Sequence, residues 1–569
     1  MKQTDKILTL DPGPSQLISA ICDEINLEAI LNEQLVWDKG RCHLSPGSRL
    51  KALIINILCD RQPLYHIHEF FETQDVEMLF GNGITAEDLN EYCIGRSLDA
   101  LYKATPWKVY STLAISACKK LGLPIGTLHN DTTSFSLYGS YIPEEKKQEG
   151  TDKVPVHVTY GYSKQHRPDL KQIVLGMGVT PDRIPIMAKV EDGNTDDKGW
   201  NLSFIKNLRE ILSEDDWNKI VYQADSALIT TENLRDIRGK LHFISRLPET
   251  FKLCNQLKEE AWENDDWQEV GPLKPHKGAA AYKIQSYVRK LDDYPYRFVV
   301  IYSNNLNDRK EHTLQRSLEK GKIQLEKAIQ KFEATVYYCI SDAEKALAEF
   351  QKTHSSPFLT YKLTVQPEEQ TEKRAKRGRP KKEESLNTFT VYRPCLQYLE
   401  EDSEAIKEKK QKMGTFVLIT DLVNTTERPD VDILRTYKGQ EAAETRFRLL
   451  KSPQMIDGFF LKKPSRIEAL GIVFVMALLI YGILEQRIRE NMKKEIEPLV
   501  LAGRRKVTKP TAQVLLKELK NIKIIYIQQN GSTMRFIPDN VGETSKRILQ
   551  LAGYDLSIYV SKKSEKQPN

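Results

Sequence analysis

The sequence has few cysteines, and they are not arranged as a zinc site or a disulfide framework. Its eight cysteines are scattered over 569 residues, and no two of them make a Cys-x-x-Cys pair. A cysteine-based zinc site needs closely spaced ligands, and a disulfide framework is typical of short, cysteine-dense chains. We therefore expect reduced thiols, as in a cytosolic protein.

Long hydrophobic runs are also missing. The longest uncharged apolar run, residues 469–484, has sixteen residues, fewer than the ~20 that span a bilayer. This run predicts a buried helix instead. The first six residues include two lysines and one aspartate, and they lack the apolar run of a signal peptide. These absences predict a cytoplasmic protein with no membrane partner.

Neither sign of charge dominates the composition. The net charge is +6, with 28% charged and 40% hydrophobic residues. These proportions fit a soluble globular protein, and the length allows several domains. The mild positive excess is compatible with a nucleic-acid partner but does not establish one.

The order of the predicted elements indicates a mixed α/β fold. Residues 1–122 carry helical patterns, and one helix is predicted to begin at the Ser45 cap followed by Pro46. Further along, strands come first in series and then alternate with helices, which is typical of a mixed sheet with helices packed on it. The predicted strands are 128–138, 154–163, 171–179, 186–190, 219–225 and 241–246.

Residues 251–430 are predicted to form a β-rich insertion that interrupts this fold. Within it, seven of the ten residues 373–382 are basic. The Arg377-Gly-Arg379-Pro core of this linker resembles an AT-hook, which lays arginines in a narrow minor groove. The alternative is a solvated run of charge without a DNA contact.

Two aspartates in the strand region are candidate site residues. Asp131 lies within a strand pattern, where aspartate is disfavoured. Asp225 lies at the carboxyl end of an apolar strand, the usual place for sites in α/β sheets. The alternative is that each aspartate is a turn or cap residue.

A third carboxylate, Glu444, lies on a helix predicted from Gln440 to Lys451. At ~3.6 residues per turn, Tyr437, Gln440, Glu444 and Lys451 share one helix face. Taken alone, the stretch is equally compatible with a solvated helix that carries a Glu444–Arg448 pair.

The three carboxylates can meet over one sheet, because they lie on two strands and a later helix. A set of oxygen ligands suits Mg²⁺ or Mn²⁺ rather than zinc. Two such ions ~3.5–4 Å apart stabilise both the attacking and the leaving oxygen of a displacement at phosphorus. A long insertion before the third carboxylate does not prevent this, since the cost of loop closure grows slowly with length.

The motifs and their order resemble the DDE transposases of bacterial insertion sequences. The resemblance is to the group with a Y-x2-R-x3-E-x6-K signature and a long β-rich insertion, insertion-sequence family sixteen-thirty-four, and it covers roughly residues 10–520. The segments that carry it are Asp131-Thr-Thr, Gln223-Ala-Asp225-Ser-Ala-Leu, Tyr437-x2-Gln440-x3-Glu444-x6-Lys451, Gly161–Gln172, Phe243–Glu249 and Leu89–Asp99.

This resemblance implies an RNase H-like catalytic core, formed by residues 123–250 and 431–500 on either side of the insertion. In such a core, Asp131, Asp225 and Glu444 would be the catalytic residues and the ligands of two Mg²⁺ ions, with Mn²⁺ as an alternative. The helical segment 1–122 would bind the DNA ends, and residues 501–569 would form a helical C-terminal region.

The resemblance also implies DNA contacts. The signature tyrosine and lysine contact phosphates near the cleaved end, which assigns these roles to Tyr437 and Lys451. The signature arginine is Gln440 here, and an amide lacks the charged fork of a guanidinium. Either Arg446 or Arg448 could supply that charge. The full set of expected DNA-binding residues is Tyr437, Gln440, Arg446, Arg448, Lys451, Arg377 and Arg379.

The implied function is cutting at the terminal inverted repeats of an insertion sequence and joining the 3′ ends to target DNA. The expected partners are double-stranded DNA and a second copy in a homodimer, at the nucleoid of a bacterial cytoplasm. By analogy the insertion would shape the DNA end, stacking a flipped base on Trp262, Trp267 or Tyr296. The alternatives are a catalytically silent DNA-binding protein derived from a transposase and a plain RNase H-like nuclease.

Overall fold

The structure is a computed structural model in which the chain divides into two compact units. Unit 1 comprises Met1–Pro248, Lys290–Tyr296 and Ile419–Asn569, and unit 2 comprises Glu249–Arg289 and Arg297–Leu418. The residues that the structure describes are 6–141, 153–274, 278–305, 308–372, 387–452, 455–456, 459, 461–495, 497–529 and 532–561. The basic linker 373–382, with Arg377 and Arg379, lies outside the described residues.

Unit 1 begins with a strand and a series of helices, as the helical patterns of residues 1–122 predict. The Ser45 side chain caps the third helix, accepting a 3.0 Å hydrogen bond from the Ser48 amide, and Pro46 is its first residue. The elements are β1 (Lys6–Leu10), α1 (Ser15–Glu24), α2 (Leu27–Gln34), α3 (Pro46–Cys59), α4 (Ile67–Glu72), α5 (Val76–Phe80), α6 (Glu91–Lys103) and α7 (Pro106–Leu121).

A sheet with helices follows, which confirms the mixed α/β class. The elements are β2 (Thr127–Leu137), β3 (Lys171–Val179), β4 (Pro185–Glu191), α8 (Asp197–Ile211), α9 (Glu214–Trp217), β5 (Val221–Gln223), α10 (Thr231–Ile237) and β6 (His242–Arg246). Within unit 1 the strand order is β4-β3-β2-β5-β6. Neighbours among β2, β3 and β4 are antiparallel, whereas β5 runs parallel to both β2 and β6.

The predicted strand 154–163 is wrong. Its described residues form one isolated bridge, Thr159 with Gln172, and no ladder. The close approach of two glycines explains the irregular path, because a Cβ on Gly161 would lie 2.0 Å from the Gly193 carbonyl oxygen. Besides this bridge to β3, the His157 carbonyl accepts a 3.0 Å hydrogen bond from the Gly193 amide, and the His157 amide donates one of 2.7 Å to the Asp192 carboxylate.

Unit 2 contains strands and amphipathic helices. The elements from here to the return of the chain to unit 1 are α11 (Lys252–Asn264), β7 (Gln268–Pro272), β8 (Ala281–Leu291), β9 (Tyr294–Ser303), α12 (Asp308–Glu333), α13 (Ile340–Thr353), β10 (Leu359–Thr371), β11 (Thr388–Glu401), α14 (Ser403–Gly414) and β12 (Thr415–Thr420). Strands β10 and β11 form a long antiparallel pair. Leu359 and Leu363 of β10 pack in a small core with Phe350 of α13 and Ile329 of α12. The unit ends at Leu418, earlier than the predicted insertion boundary at 430.

The chain completes unit 1 with further helices and short strands. These are α15 (Asp430–Lys438), α16 (Glu441–Leu450), α17 (Pro464–Lys494), β13 (Leu499–Leu501), β14 (Arg505–Val507), α18 (Ala512–Leu519), β15 (Ile524–Gln529), β16 (Ser532–Phe536) and α19 (Glu543–Leu551).

Helix α17 is the central helix of unit 1. Among the described residues it is the one helix long and apolar enough to cross a membrane, but 94% of its apolar window is buried inside the molecule. It packs against α1, α3, α6 and α7, and β1 pairs with β15. The separate domains predicted for residues 1–122, 431–500 and 501–569 are therefore parts of one unit, and the buried helix is consistent with a soluble protein.

Candidate active site

Asp131 and Asp225 reach the same edge of the sheet. Strands β2 and β5 are parallel, with His129 opposite Gln223. Asp131 lies two residues beyond this pair on β2, and Asp225 lies two residues beyond the end of β5. The Asp131 carboxylate accepts a 2.8 Å hydrogen bond from the Thr132 amide, and Asp225 accepts one of 3.0 Å from the Ala227 amide. The structure thus brings together two of the three predicted carboxylates.

The two carboxylates influence each other electrostatically. The pKa of Asp131 is raised to about 6: burial raises it most, the charges of Asp225 and Asp197 raise it as well, and Lys164 and the Thr132 amide lower it. Burial also raises the pKa of Asp225. The charge of Asp197 raises it as well, whereas the Ala227 amide and Lys164 lower it. Both shifts mean that the negative charge here is not fully compensated by the protein.

Helix α16 is fixed across β2 beside Asp131. The Gln440 side-chain amide donates a 2.9 Å hydrogen bond to the Asn130 carbonyl. At the same end Gly439 packs on His129, and a Cβ at this glycine would lie 2.7 Å from the imidazole ring. Glu444 lies one turn after Gln440 and therefore on the same side of the helix. Its carboxylate is exposed, and no hydrogen bond or ion pair to it is present in the described part of the chain.

Tyr437 lies on a different helix from Glu444, contrary to the single-helix prediction. Helix α15 ends at Lys438, and Gly439 and Gln440 form a tighter turn before α16 begins. Tyr437 is nevertheless close to the carboxylates. Burial raises the pKa of its hydroxyl, Arg246 opposes this by charge and hydrogen bonding, and Asp225 and Glu444 add to the rise. The charges of Asp225 and Glu444 therefore both act on the Tyr437 hydroxyl.

The predicted DNA-binding residues have different surroundings. Gln440 is engaged with the β2 backbone, so it positions α16 and its amide nitrogen is not free for a phosphate. Arg448 is exposed on α16. Lys451 is half-buried at the end of α16, with its ammonium 5.9 Å from the Phe135 ring centre. Burial and the charge of Lys164 lower the pKa of Lys451, whereas Asp131 raises it, which places this lysine beside the carboxylates.

The prediction that Arg446 contacts DNA is wrong. Its side chain is 1% exposed and forms a 2.9 Å ion pair with Glu485 of α17. It also donates a 2.6 Å hydrogen bond to the Arg183 carbonyl. The sequence pattern could not separate Arg446 from Arg448, because two positions on one helix differ in burial only once the partner helix is known.

The candidates for stacking a flipped base also differ in burial. Trp262 and Trp267 of unit 2 are half-buried, with ring centres 5.0 Å apart. Tyr296 is 0% exposed. The structure therefore removes Tyr296 as a stacking candidate and leaves both tryptophans.

Two residues without a predicted role lie at the carboxylates. The Lys164 ammonium donates hydrogen bonds of 2.7 Å to the Thr132 hydroxyl and 3.1 Å to the Thr132 carbonyl, and it lies 3.3 Å from both carboxylate oxygens of Asp197. Asp197, at the start of α8, also accepts a hydrogen bond from the Thr132 hydroxyl. Lys164 lies in the irregular segment after β2, and no spacing in the sequence links it to Asp197. Its presence in the Gly161–Gln172 segment was the only available signal.

The donor chemistry of the site fits hard divalent cations. Asp131, Asp225 and Glu444 offer oxygen ligands alone, which Mg²⁺ and Mn²⁺ prefer. Across the described ranges, no three acidic, histidine or cysteine side chains are grouped closely enough to hold a metal ion as they stand. Glu444 is the uncommitted member of the set, because its carboxylate is exposed and unpaired within the described residues.

Comparison with known families gives one match. A family model described as a domain of unknown function (DUF4277) matches residues 13–115, which span α1 to α6 and most of α7. No curated protein matches the chain. The match ends before Asp131, so it covers none of the three carboxylates.

The Asp131→Asn substitution is expected to raise the melting temperature of the metal-free protein at pH 7.5. Because the pKa of Asp131 is about 6 when folded, above its ordinary value of 3.8, the folded state binds the proton more tightly than the unfolded chain. The stability that this proton contributes is present below the unfolded pKa and is lost as the pH rises through the folded pKa. Melting curves from pH 4 to 8 in EDTA should show a difference that shrinks towards pH 4. A difference that does not change with pH would contradict the assignment.

Proposed function

We propose that this protein is a DDE transposase of a bacterial insertion sequence. It would cut at the terminal inverted repeats and join the 3′ ends to target DNA by two-metal-ion phosphoryl transfer. The observation that carries the proposal is the approach of Asp131, Asp225 and the Glu444 helix to one edge of one sheet.

The strand arrangement supports an RNase H-like core. Three antiparallel strands are followed by two parallel ones, in the order β4-β3-β2-β5-β6. The first aspartate lies on the central strand β2, the second follows the adjacent β5, and the glutamate lies on a helix across β2. This arrangement supports a core in which three acidic side chains act together as metal ligands.

The surrounding side chains support phosphodiester chemistry. Two Mg²⁺ or Mn²⁺ ions, when bound by Asp131, Asp225 and Glu444, supply activation of the attacking oxygen and stabilisation of the leaving 3′ oxygen. Lys451 contributes positive charge beside the carboxylates, and Arg448 contributes it on the exposed face of α16. Cations so placed would hold the DNA backbone while the carboxylates hold the metal ions.

The proposal includes the partners that the reaction needs. Joining both ends of an element to one target requires two active sites, and hence at least a homodimer of this chain. The substrates are double-stranded, namely the inverted repeats and the target, so the protein would act at the nucleoid of the bacterial cytoplasm.

A strand-transfer assay tests the proposal against its two alternatives. The probe is an end-labelled duplex that carries the short inverted repeat bordering the gene, incubated with plasmid target in Mg²⁺ or Mn²⁺. A transposase yields both nicked ends and joined products. Nicking without joining would indicate a plain nuclease, and repeat binding without either product would indicate a silent DNA-binding protein.

A further inference from the structure

Residues 160–165, which precede β3, form a segment that lies along the edge of β2 next to the candidate active site. Strand β5 pairs with β2 only as far as His129, so the edge beyond this residue is free of β5. Where β5 is absent, hydrogen bonds that involve side chains join the segment to β2. The Lys164 amide donates a 3.0 Å hydrogen bond to the Ser134 hydroxyl, and the Ser136 amide donates one of 2.9 Å to the Gln165 side chain. The segment is therefore bonded to β2 three and five residues beyond Asp131.

Lys164 is the cation that this segment places at the carboxylates. Two of its hydrogen bonds go to Thr132, and the third partner, Asp197, lies 3.3 Å away. Because the ammonium is bonded to the Thr132 carbonyl, it lies beside β2 one residue along the strand from Asp131.

Tyr162 is the exposed aromatic side chain of the same segment. It is 86% exposed, while its carbonyl is held by a 3.2 Å hydrogen bond from the Gln172 side chain. Tyr160 is 57% exposed two residues earlier. An aromatic ring presented to solvent from a fixed backbone, two residues from a cation, is the combination that binds single-stranded nucleic acid by base stacking and phosphate contact.

We propose that Tyr162 and Lys164 form a contact for an unpaired DNA strand at the active site. Tyr162 stacks on a base, and a backbone phosphate next to the bond that is cut replaces Asp197 as the partner of the Lys164 ammonium. The inference rests on the proposed function for the statement that a strand is cut here, and Thr132 and Asp197 are positioning residues that fix the Lys164 ammonium. This contact gives the Gly161–Gln172 segment a function that metal binding by the three carboxylates does not explain.

Photo-crosslinking tests the contact without requiring catalysis. The probe is a fluorescent 20-mer of thymidine that contains 5-iodouracil, mixed with the full-length protein in EDTA and irradiated. Peptide mapping is expected to find the crosslink at Tyr162, and Tyr162→Ala to reduce the crosslinked yield in this segment at least about fivefold. Tyr162→Phe keeps the ring and is expected to retain affinity. Crosslinks that lie elsewhere and are unchanged in Tyr162→Ala would overturn the proposal.

The salt dependence of binding tests Lys164. One phosphate contact on a single strand contributes ~0.7 to the slope of log affinity against log salt. Lys164→Gln is expected to lower the slope by about that amount, and Lys164→Arg to preserve it. Lys119→Gln, which removes the same charge from a lysine paired with Asp216, is the control. An equal loss in Lys119→Gln and Lys164→Gln would mean that only net charge matters, and the proposal would fail.

The two proposals fail separately. If the protein crosslinks through Tyr162 but does not cut inverted repeats, the single-strand contact is supported and the transposase proposal fails. A protein that cuts and joins the repeats, yet whose crosslinking and salt slope do not respond to Tyr162→Ala and Lys164→Gln, retains the activity and loses the contact.

Discussion

Glu444→Gln is expected to reduce strand cleavage by about 10³-fold or more, because it removes one charged ligand from a site that acts as a unit. The Glu444 carboxylate is exposed and unpaired within the described residues, so its loss should not destabilise the fold. The measurement is the single-turnover rate of nicking of an inverted-repeat duplex in Mg²⁺, with the melting temperature recorded in parallel.

Glu441 provides a matched control for this substitution. It is also exposed and lies on α16, three residues before Glu444. Glu441→Gln removes the same charge from the same helix and is expected to leave cleavage within about twofold of the unsubstituted protein. Equal losses in the two variants would indicate a general charge effect and would contradict a specific role for Glu444.

Arg446→Ala is expected to destabilise the protein by about 3 kcal/mol, the lower end of the usual cost of removing one partner of a buried ion pair, because Glu485 keeps a second partner in Arg489 at 3.1 Å. The substitution would leave Glu485 buried without this partner and would remove the hydrogen bond to the Arg183 carbonyl. Part of the packing against the Tyr481 ring, whose centre lies 5.3 Å from the guanidinium, would also be lost. Chemical denaturation monitored by tryptophan fluorescence measures the effect.

For Arg448→Ala, on the same helix, we expect little change in stability and weaker DNA binding. Because Arg448 is exposed, its loss should change the free energy of unfolding by less than about 0.5 kcal/mol. It should instead weaken DNA binding and lower the salt slope by about one unit. If Arg446→Ala weakened DNA binding while leaving stability intact, the burial assigned to Arg446 would be incorrect.

The strands that position the site could be predicted because their local patterns are strong. The prediction of β3 over residues 171–179 is confirmed at both ends, since a continuous apolar run is buried there on both faces. The neighbouring prediction 154–163 failed, since Gly161 and Gly193 approach too closely for a regular ladder. The spacing of apolar residues indicates how side chains alternate along a segment. It does not indicate whether a neighbouring strand is present to pair with it.

The carboxylates were predictable from the sequence, but their surroundings were not. Asp131 lies within a strand pattern, where aspartate is disfavoured, and Asp225 lies at the carboxyl end of an apolar strand, so both signals are local. Lys164 and Asp197 meet only because the segment after β2 and the start of α8 both reach Thr132. Gln440 shows the same limit, because its bond to the Asn130 carbonyl depends on where α16 crosses the sheet.

Contacts between segments that are far apart in the sequence could not be predicted from composition. Composition marks the change from helical to strand-like texture near residue 122, but it does not show that β1 pairs with β15 or that α17 packs against α1 and α3. Long-range pairing of the two chain ends joins segments that the sequence presents as separate.

Anomalous diffraction from crystals of the full chain grown with Mn²⁺ is the most direct test of the central claim. The account predicts manganese bound by Asp131 and Asp225, with the Glu444 carboxylate drawn to the same cluster. A folded molecule in which these three carboxylates remain far apart, with manganese bound elsewhere or nowhere, would contradict it.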